Sequence, residues 1–306
     1  MIQNLVSSLP TKQSYDLYYN IQRKYGALKK GSYSPKSRLV AGVNIWKYIL
    51  QNNQSAKDKI FFELGTGRAP IIPLANFLMG AKQTITVDLN PYMKEELCVE
   101  MLDYIFQNKE QVKKIFGDYL INKNFSIIKD EFINKNFSLQ EFLNICNITY
   151  LTPLDATKTP LDSGSIDFYI SYTVFEHIPK NILMNLIAEG NRLLNNDGLH
   201  IHRIDYSDHF SHSDEAISSI NFLKFSEIAW RLIADNKYMY MNRMRHDDFK
   251  ELLKYAGCQI VYERCDIDEN VINILDNNSL IIDKRFKSKS KEVLATNAAW
   301  FVAKRL

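Results

Sequence analysis

The chain lacks most of the features that settle a protein's class at a glance. Its 4 cysteines (Cys98, Cys146, Cys258 and Cys265) are scattered, with no C-x-x-C pair, which argues against a disulfide framework and a structural zinc site. No apolar run approaches the roughly 18 residues of a membrane helix. The first residues show no charged-then-apolar signal pattern, so a cytoplasmic protein without a membrane span is expected. Its one Gly-x-Gly turn is followed by no G-K-[ST], which excludes a P-loop. That turn also lacks the third glycine of a dinucleotide fingerprint, because Pro70 stands there.

What is present is ordinary in bulk and uneven in detail. With 306 residues, 46% apolar and 24% charged, the chain can bury a sizeable core. The net charge of +3 hides an asymmetry. Residues 1–60 carry ten Lys or Arg against Asp16 and Asp58, so the remainder is net acidic. Tyr15, Tyr18, Tyr19, Tyr25 and Tyr33 lie among those positive charges. Such a segment can face an anionic partner, or be a solvated helix whose tyrosines pack on the domain; the general behaviour of charge runs favours the second. The motif INKNFS occurs twice, at 121–126 and 133–138, and two copies do not make a repeat architecture.

Periodicity predicts helices over 12–26, 37–51, 70–80 and 179–195, a long helical stretch to about 145, and later helices near 221–235 and 246–256. Apolar strand-length runs fall at 59–64, 83–90, 147–155, 165–173, 198–205, 258–264 and 296–304. Gly190 lies on the apolar stripe of the 179–195 helix, which allows close approach to a sheet, and NNDG (195–198) predicts a helix stop and a turn. Strands alternating with helices of this length mean a mostly parallel sheet covered on both faces, an α/β fold.

The informative stretch is FFELGTGRAP, residues 61–70. A glycine turn between a strand and a helix puts backbone N–H groups at the end of the sheet, where open α/β folds bind ligands. Glu63 ends the strand, and a carboxylate there opposes a phosphate and suits a cation. The pattern E-L-G-T-G-R-A resembles the acidic-x-G-x-G-x-G motif of class I S-adenosylmethionine-dependent methyltransferases, with Ala69 in place of the last glycine. The resemblance continues in order along the chain. Asp88, in ITVDLN, matches the acidic residue that binds the ribose hydroxyls. Asp155-Ala156 match the adenine position, and SIDFYISYTVFEHIP resembles the segment that lines the methionine end.

The resemblance implies a Rossmann-like class I methyltransferase fold, with a seven-stranded sheet in the order 3-2-1-4-5-7-6 and its last strand antiparallel. It implies S-adenosylmethionine as cofactor, held by Glu63, Gly65, Thr66, Gly67, Asp88, Leu89, Asp155, Ala156, Ser171 and Tyr172. The expected organisation is an N-terminal helical cap (1–57) and a methyltransferase domain (58–306), with helical insertions near 92–145 and 206–250.

Methyl transfer is an in-line displacement that mainly requires positioning, but a sugar hydroxyl also gains from a general base. Five of the six histidines lie between 177 and 212. His200 and His202 alternate along a strand and read as hydrogen-bonded wall residues. His209, with Asp208 beside it, is the leading candidate base, and His177 the next. His209 and His212 with Asp208 and Asp214 could hold an ion, but oxygen-rich Mg²⁺ sites rarely use two histidines, so no metal is expected. The segment H-R-I-D-x-x-D-H-F resembles methyltransferases of surface-polysaccharide pathways. The expectation is therefore O-methylation of a sugar or other polar small molecule or glycan, possibly anionic. A non-catalytic cofactor-binding subunit and methylation of RNA or another macromolecule are the alternatives. Nucleic acid is the less supported acceptor, because the chain lacks the [N/D/S]-P-P-[Y/F] segment of base methyltransferases.

Overall fold

The computed structural model describes residues 11–26, 28–134, 137–212, 214, 216–234, 236, 238 and 240–306. The first ten residues of the expected cap and part of the second INKNFS copy lie outside them. Seven strands form the frame: β1 (Ile60–Leu64), β2 (Gln83–Val87), β3 (Ile148–Leu151), β4 (Ile166–Tyr172), β5 (Leu194–Asp205), β6 (Cys258–Ile267) and β7 (Thr296–Arg305). They make one sheet in the order β3-β2-β1-β4-β5-β7-β6. The pairs among β1 to β5 are parallel, and β7 runs antiparallel to both β5 and β6. This is the Rossmann-like class I methyltransferase arrangement. Strand order reverses between β1 and β4, which opens a crevice at the carboxyl ends of those strands.

Alternating side chains divide the core into two layers. Phe61, Phe168, Leu199, Ile201 and Trp300 face one side, together with α2 (Lys36–Gln51), α3 (Ile71–Met79) and α4 (Glu95–Gln107). Phe62, Tyr169, Ile204 and Phe301 face the other, against α8 (Lys180–Leu193) and α10 (His246–Tyr255). Phe61 and Phe62 are neighbours in sequence and both fully buried on opposite faces, as a period of two requires. Each such burial stabilises the fold by roughly 1.5–3 kcal/mol. Helix α2 lies in this core layer: Leu39, Ile45 and Ile49 are fully buried with Phe61. Three of the four tyrosines of α1 (Thr11–Tyr25) pack back onto the molecule, Tyr15 against Tyr92, Tyr18 stacked on Tyr238 and Tyr19 buried, whereas Tyr25 is exposed.

The stretch from 92 to 145 is helical as expected, comprising α4, α5 (Lys109–Phe116), α6 (Asn122–Asn134) and α7 (Leu139–Ile145). Gly190 meets the sheet closely: a Cβ there would lie 2.6 Å from His200 Cε1. Two boundaries differ from the sequence reading. NNDG stops the helix, but the chain enters β5 at Leu194 and carries the irregularity inside the strand. Partners shift from Ile166–Leu194 to Phe168–Leu199 there, and Asn195 Nδ2 donates to Asp167 Oδ1 across the bulge. The helix expected near 221–235 is a short 3-10 turn, Asn221–Lys224, followed by α9 (Glu227–Ala234). Ser226 separates them, accepting the Ala229 N–H on its hydroxyl. Two helices of the tail, α11 (Glu269–Asp276) and α12 (Lys291–Ala295), were not legible in the periodicity.

Candidate active site

The glycine turn after β1 opens onto a crevice at the switch point. Gly65 and Gly67 have φ of 80° and 74°, values that L side chains rarely adopt. At Gly65 space is also short, because a Cβ would sit 2.7 Å from Val174 Cγ2. Ala69 is buried at the third glycine position, and Pro70 precedes the first residue of α3. Two adjoining cavities share Gly65, Asp88, Tyr92, Val174 and His177. The first, about 270 Å³, is lined by Glu63, Thr66, Gly67, Tyr172 and Arg38 among others. The second, about 390 Å³, is lined by Leu89, Asp155, Ala156 and Tyr15.

The first cavity has an acidic wall. Glu63 is 3% exposed, and its Oε2 accepts the Thr86 hydroxyl at 2.7 Å. Thr66 shares a hydrogen bond with the same Thr86. Burial pushes the Glu63 carboxyl up to about 8. Asp88 is likewise pushed up, to about 7, by burial. Its Oδ2 accepts both the Gly67 N–H (3.1 Å) and the Tyr150 hydroxyl (3.0 Å). Two carboxyls held above their ordinary range, lining one cavity, favour a ligand that brings positive charge and restores ionisation. Arg38 of α2 adds one cation to this wall, matched to a ligand that also carries a carboxylate.

The second cavity is more apolar. Leu89 is 65% exposed, while Ala156 is buried. Asp155 is exposed, and its Oδ1 accepts the Thr157 N–H and hydroxyl. It therefore shapes the turn after β3 as well as lining the cavity.

At the ends of β4 and β5 the predicted residues separate. Tyr172 reaches the first cavity. Ser171 does not line it; it is 1% exposed and its hydroxyl shares a hydrogen bond with His202 Nδ1. His200 and His202 are buried wall residues, as expected, and His200 Nε2 meets Asn191 Oδ1. Thr173, next in the chain, adopts φ of 53° on the cavity wall, an uncommon conformation that a β-branched residue keeps only when its surroundings impose it. Its N–H donates to the Arg203 carbonyl. The chain then makes a tight turn through Phe175–His177, held by Asn242, whose Nδ2 donates to the carbonyls of Phe175 and Ile178.

That turn carries His177 to both cavities. Its Nδ1 lies 3.0 Å from the Tyr240 carbonyl, so Nδ1 is the protonated nitrogen and Nε2 offers a lone pair. His209 stands one layer behind, with ring centroids 4.9 Å apart. Burial, followed by His177 and then His212 nearby, drives its imidazole down to about 4, so it is neutral at physiological pH. Asp208 is not brought to this group. It is fully buried, and its carboxylate accepts the Phe210 N–H and Asn221 Nδ2, folding the loop. The carboxylate beside His209 is Asp205, at 3.8 Å.

Sequence reasoning passed over Arg38, Tyr150, Asp205 and Glu176 as site residues. Arg38 and Tyr150 come from elements distant in the chain and carry no motif. Glu176 had a signal: it adjoins His177 between Phe175 and Ile178, so a short turn was bound to bury it.

No protein-family model and no curated protein matches the chain. Solved structures do share its general trace. An S-adenosylmethionine-dependent methyltransferase from Mesorhizobium loti is 13% identical, with a TM-score of 0.46 over 87% of this chain and 100% of that one. A geranyl diphosphate methyltransferase solved with S-adenosylmethionine is 12% identical, TM-score 0.48, over 91% and 92%. Geranyl diphosphate C-methyltransferase from Streptomyces coelicolor is 11% identical, TM-score 0.47, over 92% and 88%. At such identities and scores these likenesses add nothing to what the strand order establishes.

Proposed function

We propose that the protein is an S-adenosylmethionine-dependent methyltransferase acting on a hydroxyl of a sugar or other polar small molecule. The observation that carries the cofactor assignment is the pair of buried carboxyls, Glu63 and Asp88, on one glycine-turn cavity at the switch point. Glu63 and Asp88 give the phosphates of a dinucleotide no countercharge, whereas a ligand with an ammonium, a sulfonium and a ribose diol is suited to them. In this reading Glu63 and Arg38 face the methionine end. Asp88 takes the ribose, and Leu89, Asp155 and Ala156 flank the adenine. Tyr172, Thr173 and His177 border the methyl group.

The acceptor then approaches past His177, with His209 behind it. An anionic group on the acceptor is supported by a third cavity of about 550 Å³, which shares Tyr172 with the cofactor cavity. Its wall holds Lys36, Arg203 and Arg264. Tyr172, Arg203, Trp300 and Arg264 stand in one row across β4, β5, β7 and β6. This reading makes the neutral imidazoles, and not Asp208, the polar groups nearest the reacting hydroxyl.

The test is a transfer assay with methyl-labelled S-adenosylmethionine against nucleotide sugars, free sugars, sugar phosphates and a bulk RNA. Label moving to a sugar hydroxyl, with release of S-adenosylhomocysteine, is the expected result. Label moving only to RNA would replace the acceptor assignment and keep the cofactor. Cofactor binding with transfer to none of these would favour a non-catalytic subunit.

A further inference from the structure

Behind His177 lies a pocket of side chains that methyl transfer by positioning alone does not need. Glu176 is 2% exposed, and neither carboxylate oxygen has a hydrogen-bond partner of good geometry among the described residues. His209 Nε2 is buried with no hydrogen-bond partner among the described residues, Asp205 Oδ2 lying 3.8 Å away. Leaving a buried carboxylate and a buried ring nitrogen unmet is costly, and natural structures tolerate it where something else occupies the site. One ligand atom each from Glu176, His177 and His209 lie within 4.8 Å of one another, and Asp205, His209 and His212 make a second group of the same kind sharing His209. His177 turns its Nδ1 to the Tyr240 carbonyl, the outer contact that fixes an imidazole with its other nitrogen presented to an ion.

We propose that Glu176, His177 and His209 bind a divalent first-row transition-metal ion beside the methyl-transfer site, with Asp205 as the neighbouring acid. The sequence alone pointed away from a metal because oxygen-rich Mg²⁺ sites rarely use two histidines, and the carboxylates it offered were Asp208 and Asp214. The structure supplies different carboxylates. Two imidazoles with one carboxylate leave coordination positions open and suit Mn²⁺, Fe²⁺, Co²⁺ or Zn²⁺ better than Mg²⁺.

The role of the ion rests on the methyltransferase reading given above, whereas its binding does not. An acceptor hydroxyl reaching an open position past His177 would ionise more readily, its proton leaving to water. The alkoxide lone pair then forms the O–CH₃ bond as the S–CH₃ bond breaks, and the electron pair of that bond returns to sulfur, giving S-adenosylhomocysteine. The acceptor class that best uses two open positions is a vicinal diol, as sugars provide.

The test is titration of metal-stripped full chain with Mn²⁺ and Co²⁺, read by calorimetry, by Mn²⁺ electron paramagnetic resonance and by Co²⁺ visible absorption. A single ion per chain is expected, bound at least roughly tenfold more weakly by Glu176→Gln and by His209→Gln. The Co²⁺ spectrum should shift in His209→Gln, since a nitrogen ligand is lost. Circular dichroism and S-adenosylmethionine binding, measured on the same samples, report folding and the cofactor site separately. Absence of stoichiometric binding by folded wild-type protein overturns the proposal, as does wild-type affinity in both variants. Ion binding without cofactor binding would leave the metal site standing and remove the methyltransferase reading instead.

Discussion

The two sides of the switch point are built in opposite ways. On the β1-β2-β3 side, each polar group lining the two adjoining cavities sits at or just past its own strand's end: Glu63 and the glycine turn after β1, Asp88 after β2, Asp155 after β3. On the β4-β5 side, the polar groups come from the Phe175–His177 turn, Asp205 and the 3-10 turn His209–His212, and are held by Tyr240 and Asn242 from a later segment. The first side is local and repetitive, with one acidic or glycine position per strand. The second is assembled from tertiary contacts, and it carries the unmet polar atoms of Glu176 and His209. On the proposed function, binding and chemistry are thus separable, and substitutions on the two sides should give different kinds of defect.

The sharpest way to break this comparison is on the acceptor side. His177→Ala should lower turnover by at least roughly 100-fold while cofactor affinity stays within about a factor of ten of wild type. Steady-state rates beside equilibrium binding check this, and a parallel loss of both would erase the division.

The next effect is on the cofactor side. Burial holds Glu63 at about 8 and Asp88 at about 7 in the free protein. Raised carboxyl values mean that these groups favour the folded free protein most below about pH 4. That contribution is lost as pH rises through the two folded values. A cationic ligand reverses the preference, so its affinity should rise between about pH 6 and about pH 8.5 by at least roughly tenfold. Binding near neutral pH should release protons, visible as a dependence of calorimetric heat on the buffer's ionisation enthalpy. A flat profile would mean the acidic wall does not meet the ligand's charge.

The smallest effect belongs to Asp155. Its Oδ1 is engaged with Thr157 in the turn after β3, so Asp155→Ala should weaken cofactor binding by no more than roughly tenfold. A larger loss in a folded variant would make it a principal adenine contact.

This contrast also explains what was legible in the sequence. Strand order and the residues that line the glycine-turn cavity followed from short motifs at strand ends, because a glycine turn and an adjacent acid depend on little beyond local backbone. His200 and His202 were placed correctly by alternation alone. The pairing of His209 was not, since chain adjacency favoured Asp208 while the loop turns that carboxylate into its own hydrogen bonds and leaves Asp205 beside the ring. Arg38 reaches the glycine-turn cavity only because α2 packs on the sheet, a tertiary fact without a local signature. The NNDG segment shows the same limit, its turn chemistry being absorbed as a bulge in β5 once Asp167 is available to Asn195.

The most direct test of the account is calorimetric titration of the purified protein with S-adenosylmethionine and, separately, with NAD, beside an Asp88→Ala variant. The account predicts saturable binding of S-adenosylmethionine alone, weakened at least roughly tenfold in the variant, the order expected when a charged hydrogen-bonding group is removed. Binding of NAD alone, or of neither ligand by folded protein, would contradict it.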